Sequence, residues 1–237
     1  MRSSSLFWCV WLRIIVVCAA LMAAPVFAGW NYAGGEQGES LSLTPDLANG
    51  RDIYEVCSAC HMPEGWGLVD GSYPVLAGQH QSVIIKQLSD IRALNRDNPS
   101  MYPFALPREI GGPQSIADVA AYIQQLPMPP KNGLGPGTKL ELGKRLYQDN
   151  CVECHGANGE GSQEEFYPRI HGQHYWYLLR QFDWIRSGKR RNANDEMVQQ
   201  IKDFSRGEME AVIDYVSRLR PADDMLAEPG WLNPDFD

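Results

Sequence analysis

Cys57-Ser58-Ala59-Cys60-His61 returns 94 residues later as Cys151-Val152-Glu153-Cys154-His155. The same offset relates Tyr73-Pro74 to Tyr167-Pro168 and Gly78-Gln79-His80 to Gly172-Gln173-His174. It also relates Gln87 to Gln181 and Ile91-Arg92 to Ile185-Arg186. A register held over about 35 residues marks a duplicated unit. Two such units share 237 residues, so each copy is a small domain that can build only a modest core.

Apolar spacing inside each copy is helical. Val83, Ile84, Gln87, Leu88 and Ile91 line one face, and Tyr177, Leu178, Gln181, Phe182 and Ile185 repeat the pattern. Short helices are expected before the cysteine pairs, over residues 45–56 and 139–150, the second opened by a Thr138/Glu141 capping box. Closing helices are expected over 116–126 and 207–219, capped by Ser115/Asp118 and Ser205/Glu208. No strand-like alternation stands out, so the fold class is all-α. Residues 127–138 are too rich in proline and glycine for helix and read as a linker. The domains are then 41–126 and 139–220. Residues 29–40 and 221–237 are expected to be flexible or surface-draped tails.

The first 28 residues read separately. Arg13 precedes an apolar run over residues 14–24, and Val26 and Ala28 stand at the −3 and −1 places before Gly29. That is the layout of a secretory signal peptide spanning residues 1–28, which places the mature chain in the periplasm. An uncleaved anchor is the alternative, although Arg13 interrupts the stretch. Cleavage removes Cys9 and Cys18 and leaves Cys57, Cys60, Cys151 and Cys154. No other stretch is apolar enough to cross a membrane. A net charge of −8 with pI near 5.1 excludes a nucleic-acid binder.

Cys-x-x-Cys-His is the attachment signature of c-type haem. Two thiols on one helical turn can add to both vinyl groups of a porphyrin, and the next histidine faces the iron. A Cys₄ zinc site or a disulfide framework uses the same cysteines but leaves both histidines unexplained. Two covalent haem c groups are therefore expected, on Cys57/Cys60 and Cys151/Cys154, with His61 and His155 as axial ligands. Met101 and Met197 follow those histidines by 40 and 42 residues, in matching loops, and are the candidates for the opposite axial position. His80 and His174 also match each other and form the rival, bis-histidine pair. Met62, Met128, Met209 and Met225 are placed poorly for ligation.

These paired motifs, with Tyr-Pro-x-x-x-Gly-Gln-His and an Asn-led methionine loop in both copies, resemble the dihaem cytochrome c4 type of class I cytochromes c. The resemblance covers about residues 41–220. It implies two tandem class I cytochrome c-like helical domains, each around one haem with histidine–methionine ligation. It also implies that the Pro74 and Pro168 carbonyls hold the second nitrogens of His61 and His155. The function it implies is electron transfer, not catalysis, between redox partners: a membrane oxidase or reductase complex, or a periplasmic dehydrogenase. The alternative is a permanent dihaem subunit of such a dehydrogenase. Two places depart from the family pattern. His171 stands opposite Ala77 where a small residue is usual, and the loop after Met101 differs from that after Met197.

Overall fold

The computed structural model describes residues 34–236, so the leader expected over 1–28 lies outside the described residues. The architecture is all-α, as expected; the extended pairings among the described residues are two isolated bridges, Met128 with Leu226 and Ser162 with Tyr167. The first lobe holds α1 (Gly35–Ser42), α2 (Leu47–His61), α3 (Gln81–Arg92), α4 (Tyr102–Ala105), α5 (Pro107–Ile110) and α6 (Pro113–Gln125). The second holds α7 (Leu140–Asn150), α8 (Val152–His155), α9 (Tyr175–Arg186), α10 (Asp195–Ile201) and α11 (Arg206–Val216). No described helix is long and apolar enough to cross a membrane.

Each lobe is organised by one close helix crossing, α2 on α6 and α7 on α11. Glycine sits at both crossings: a Cβ on Gly50 would strike the Asp118 carbonyl, and one on Gly143 the Ala211 carbonyl. Around the crossings, Tyr54, Ile85, Ile116, Val119 and Ile123 form the first core, and Tyr147, Ile201, Met209 and Val212 the second. Burial of a side chain of this kind is worth roughly 1.5–3 kcal/mol.

The caps differ from expectation in two of three places. The Ser205/Glu208 box is formed. Thr138/Glu141 is not, because Lys139 occupies the N-cap of α7 and gives it no side-chain bond. Ser115/Asp118 fails because α6 starts earlier, at Pro113, whose fixed φ suits the first helical position. Asp118 is buried instead and accepts from the Asp46 N–H (2.8 Å) and Asn49 Nδ2 (2.7 Å), pinning the start of α2.

The described parts of the two expected tails, residues 34–40 and 221–236, are held against the fold, the second draped over the surface as one of the two expectations had it. Residues 35–42 are helical because Glu36 meets Arg92, which also donates to the Ala105 and Gly111 carbonyls. That partner lies 56 residues away, beyond any local pattern. The C-terminal stretch straps across the first lobe. Met128 N–H donates to Met225 O (2.7 Å) and Ala227 N–H to Met128 O (2.9 Å). Trp231 then packs on Trp66 (centroids 5.8 Å) and Phe236 on Tyr54 (5.8 Å), while Asn233 donates to Pro63 O (2.7 Å). The linker is anchored too: Asn132 Nδ2 donates to the carbonyls of Gln173 (2.8 Å) and Ser217 (2.9 Å).

Candidate functional site

α2 runs unbroken to His61, so Cys57, Cys60 and His61 occupy its last turns. In the second lobe α7 stops at Asn150, Cys151 is the junction, and Cys154 and His155 ride on the separate turn α8. Counting explains the break. Cys57 lies seven positions after Gly50, and Cys151 eight positions after Gly143. The glycine crossing holds one end, so the extra residue is absorbed at the junction.

Both histidines are held in the same way. His61 Nδ1–H donates to Pro74 O (3.1 Å) and His155 Nδ1–H to Pro168 O (3.2 Å). The histidine carbonyls accept from Gly67 N–H (3.0 Å) and Gly161 N–H (2.9 Å). A carbonyl can only accept, so Nδ1 carries the proton and the lone pair of the neutral ring sits on Nε2. Neither Nε2 has a hydrogen-bond partner among the described residues. Burial, partly offset by the Pro74 bond and reinforced by Arg96, pulls His61 down to about 4; burial lowers His155 as well. Both rings are thus neutral donors at physiological pH.

The four cysteines are free and half-buried. Desolvation, with the companion cysteine adding to it, pushes Cys57 and Cys151 up to about 12. Among the described residues no three or more His, Cys, Asp or Glu side chains gather where they could hold a metal ion, so the two cysteine pairs do not meet in a Cys₄ site. Met101 packs against the same core as Cys57, and Met197 against the same core as Cys151. The methionines are not simply in loops: Met101 is the N-cap of α4, and Met197 lies within α10, whose N-cap Asn194 accepts from the Met197 N–H (3.0 Å). Neutral paired thiols on one turn, an imidazole with a free lone pair and a thioether on the same core fit a covalent haem in each lobe.

The remaining methionines have other places. Met209 is fully buried core, and Met128 packs between Gly78 and Gly172 where the lobes meet. His80 and His174 also sit at that interface. His80 Nε2–H donates to Glu160 O (2.9 Å) and His174 Nε2–H to Trp66 O (2.8 Å), each in the opposite lobe. Their Nε2 atoms are committed there, contrary to the bis-histidine reading.

Sequence reasoning missed a second interface cluster, although the 94-residue offset relates its members. Arg96 donates to Gln87 Oε1 (2.9 Å), and Arg190 to Gln181 Oε1 (2.9 Å) and Gln87 Oε1 (3.0 Å). Asn192 joins Gln87 (3.1 Å) to Asp90 (2.8 Å), the partner of Lys86. Burial and the neighbouring Arg96 pull Arg190 down to about 9. Burial would raise Tyr177, but Arg96 and Arg190 outweigh it and hold the phenol below its usual value. This interface is electropositive inside an acidic protein.

Comparison with known proteins agrees with this arrangement. The cytochrome c family model matches twice, over residues 47–127 and 140–220. Cytochrome c4 of Azotobacter vinelandii is 31% identical over 190 residues, covering 73% of this chain and 89% of the relative. A thiosulfate dehydrogenase electron acceptor of Stutzerimonas stutzeri is 31% identical over 198 residues, covering 76% and 90%. The crystal structure of reduced cytochrome c4 from Pseudomonas stutzeri superposes with a TM-score of 0.64 at 27% identity, covering 75% of this chain and all of that one. Two helical lobes, each with a Cys-x-x-Cys-His turn and each matched by the same family model, place the chain in the cytochrome c family, as a dihaem protein of the c4 type.

Proposed function

We propose that this chain is an exported electron carrier that passes single electrons between partner proteins through two covalent haems, one per lobe. The observation that carries this reading is the paired geometry: two neutral imidazoles, each fixed by a proline carbonyl and each with Nε2 free. Cys57 and Cys60 hold the first haem and Cys151 and Cys154 the second, by thioether bonds. His61 with Met101, and His155 with Met197, would ligate the two irons. When bound, each haem supplies a one-electron iron couple whose potential is set by axial ligands, burial and hydrogen bonding.

The protein's own part is positioning. The Pro74 and Pro168 carbonyls orient the rings and raise their basicity. Methionine as the second ligand favours the reduced state relative to a second histidine. The guanidinium groups of Arg96 and Arg190 offer charge for the carboxylates that a haem carries. The lobes correspond to residues 41–126 and 139–220. Export to the periplasm through a leader over residues 1–28 accords with the sequence layout and with haem attachment outside the cytoplasm. An acidic surface suits a partner with a basic docking patch.

Similarity to a thiosulfate dehydrogenase electron acceptor favours a second reading, in which the partner is one dehydrogenase held permanently. Native purification separates the two readings, since a carrier elutes alone and a subunit co-elutes in fixed ratio. The haem assignment is tested on the mature protein made in cells that assemble c-type cytochromes. Its mass should include two haems, and its oxidised near-infrared spectrum should show sulfur-to-iron bands from two irons. A colourless protein, or bands from fewer than two irons, would overturn the assignment.

A further inference from the structure

The lobes do more than touch: each reaches into the support of the other's haem histidine. Gln173, in the second lobe, uses its whole amide on Val75 of the first. Its Oε1 accepts from the Val75 N–H (3.0 Å) and its Nε2 donates to Val75 O (2.9 Å). Gln79 treats Arg169 identically, accepting at 2.9 Å and donating at 2.9 Å. Val75 and Arg169 directly follow Pro74 and Pro168, the residues whose carbonyls hold His61 and His155.

The neighbouring histidines add a second point. His174 Nε2–H donates to Trp66 O (2.8 Å) and His80 Nε2–H to Glu160 O (2.9 Å). Trp66 and Glu160 directly precede Gly67 and Gly161, whose N–H groups bond the carbonyls of His61 and His155. His174 is fixed in this role, because its Nδ1 accepts from the Gly133 N–H (3.0 Å) and Nε2 therefore carries the proton. Each glutamine Oε1 also accepts from the N–H of the histidine after it, both at 3.0 Å, so the pair moves as one unit.

We propose that the supports are exchanged: Gln173 and His174 are positioning residues for His61, while Gln79 and His80 are positioning residues for His155. Neither pair touches the histidine it positions. Each acts on the two backbone segments that grip the ring and its carbonyl. A two-point amide clamp on the residue beside the accepting carbonyl, buried at Val75 and half-buried at Arg169, limits how far that carbonyl can swing. The ligand geometry of one lobe therefore depends on the docking of the other, and the two potentials are linked through the protein.

The inference rests on His61 and His155 being axial ligands, which the hyperfine-shifted imidazole resonances of the oxidised, unaltered protein test separately. The test is NMR of the reduced, 15N-histidine-labelled, full-length holoprotein. Gln173→Ala should speed exchange of the His61 Nδ1–H by about tenfold and leave that of His155 unchanged. It should also raise the potential of the first-lobe haem, since a looser proline bond makes the imidazole a poorer electron donor. Gln79→Ala should do the reverse. Gln173→Glu keeps the acceptor and loses the donor, and serves if the alanine variant fails to fold. Arg191→Ala, which removes a different cross-lobe bond, to Leu94 O, controls for general loosening of the lobes. Equal effects at both histidines, no effect at His61, or the same effect from Arg191→Ala would overturn the proposal.

Discussion

The two lobes hold the histidine of each Cys-x-x-Cys-His turn alike and differ in what carries the cysteines and the methionine. Each has the glycine crossing, the proline carbonyl, the glycine N–H on the histidine carbonyl and the Gln-His pair at the interface. They differ in the helix that carries the cysteines, continuous in one and broken in the other, and in the methionine side. There the first lobe uses two short proline-containing helices after Met101, whereas the second sets Met197 inside one helix capped by Asn194. The repeat therefore preserves these hydrogen bonds even where a helix is broken. One inserted residue can be absorbed by a break so long as the ring and its carbonyl keep their partners.

The largest test of this equivalence removes the methionines. Met101→Ala and Met197→Ala should each eliminate about half of the near-infrared sulfur-to-iron intensity and lower the potential of one haem. A variant that left both bands intact would break the equivalence at that lobe. Next come the crossings. Gly50→Val and Gly143→Val put a side chain against a backbone carbonyl of the crossing helix, at a cost of about 3 kcal/mol each, measurable by denaturant unfolding. If only one destabilises, the lobes do not share their organising contact.

Smaller effects concern the interface histidines. Burial lowers both His80 and His174, with Arg169 adding to the effect at His80. A folded-state value below the unfolded one means that the unfolded chain binds more protons. Their stabilisation is therefore present above about pH 6.5 and is lost as pH falls below it towards the folded-state values. His174 should matter more, because protonation there sets an N–H against the Gly133 N–H. Urea unfolding at several pH values should show a shallower acid loss in His174→Gln than in His80→Gln. The smallest test is the cap found only in the second lobe: Ser205→Ala should cost about 1 kcal/mol, read as a lowered unfolding midpoint of that lobe.

The two haem-attachment motifs were legible because each is written in adjacent residues at a fixed spacing, and the internal repeat supplied the comparison on which the proposal for Met101 and Met197 rests. The proline bonds followed only from the family resemblance, and the structure contains both. The partners of Gln79, Gln173, His80 and His174 were not legible, although their match in the repeat was. Their hydrogen bonds go to backbone groups 80 to 108 positions away, and a carbonyl has no sequence signature. Arg96 and Arg190 had the right offset, but arginine in a loop reads as solvated charge until the fold turns it inward. The helix over 35–42 was hidden for the same reason, since its anchor is Arg92.

The strap across the first lobe reverses the order in which the halves are finished. Residues 231–236 are synthesised after all of the second lobe, yet it is the first lobe whose Trp66, Tyr54 and Tyr122 they cover. The half that leaves the ribosome earlier is thus completed later. A stop codon introduced near position 230 would leave the nearer haem lobe intact and uncover the distant one.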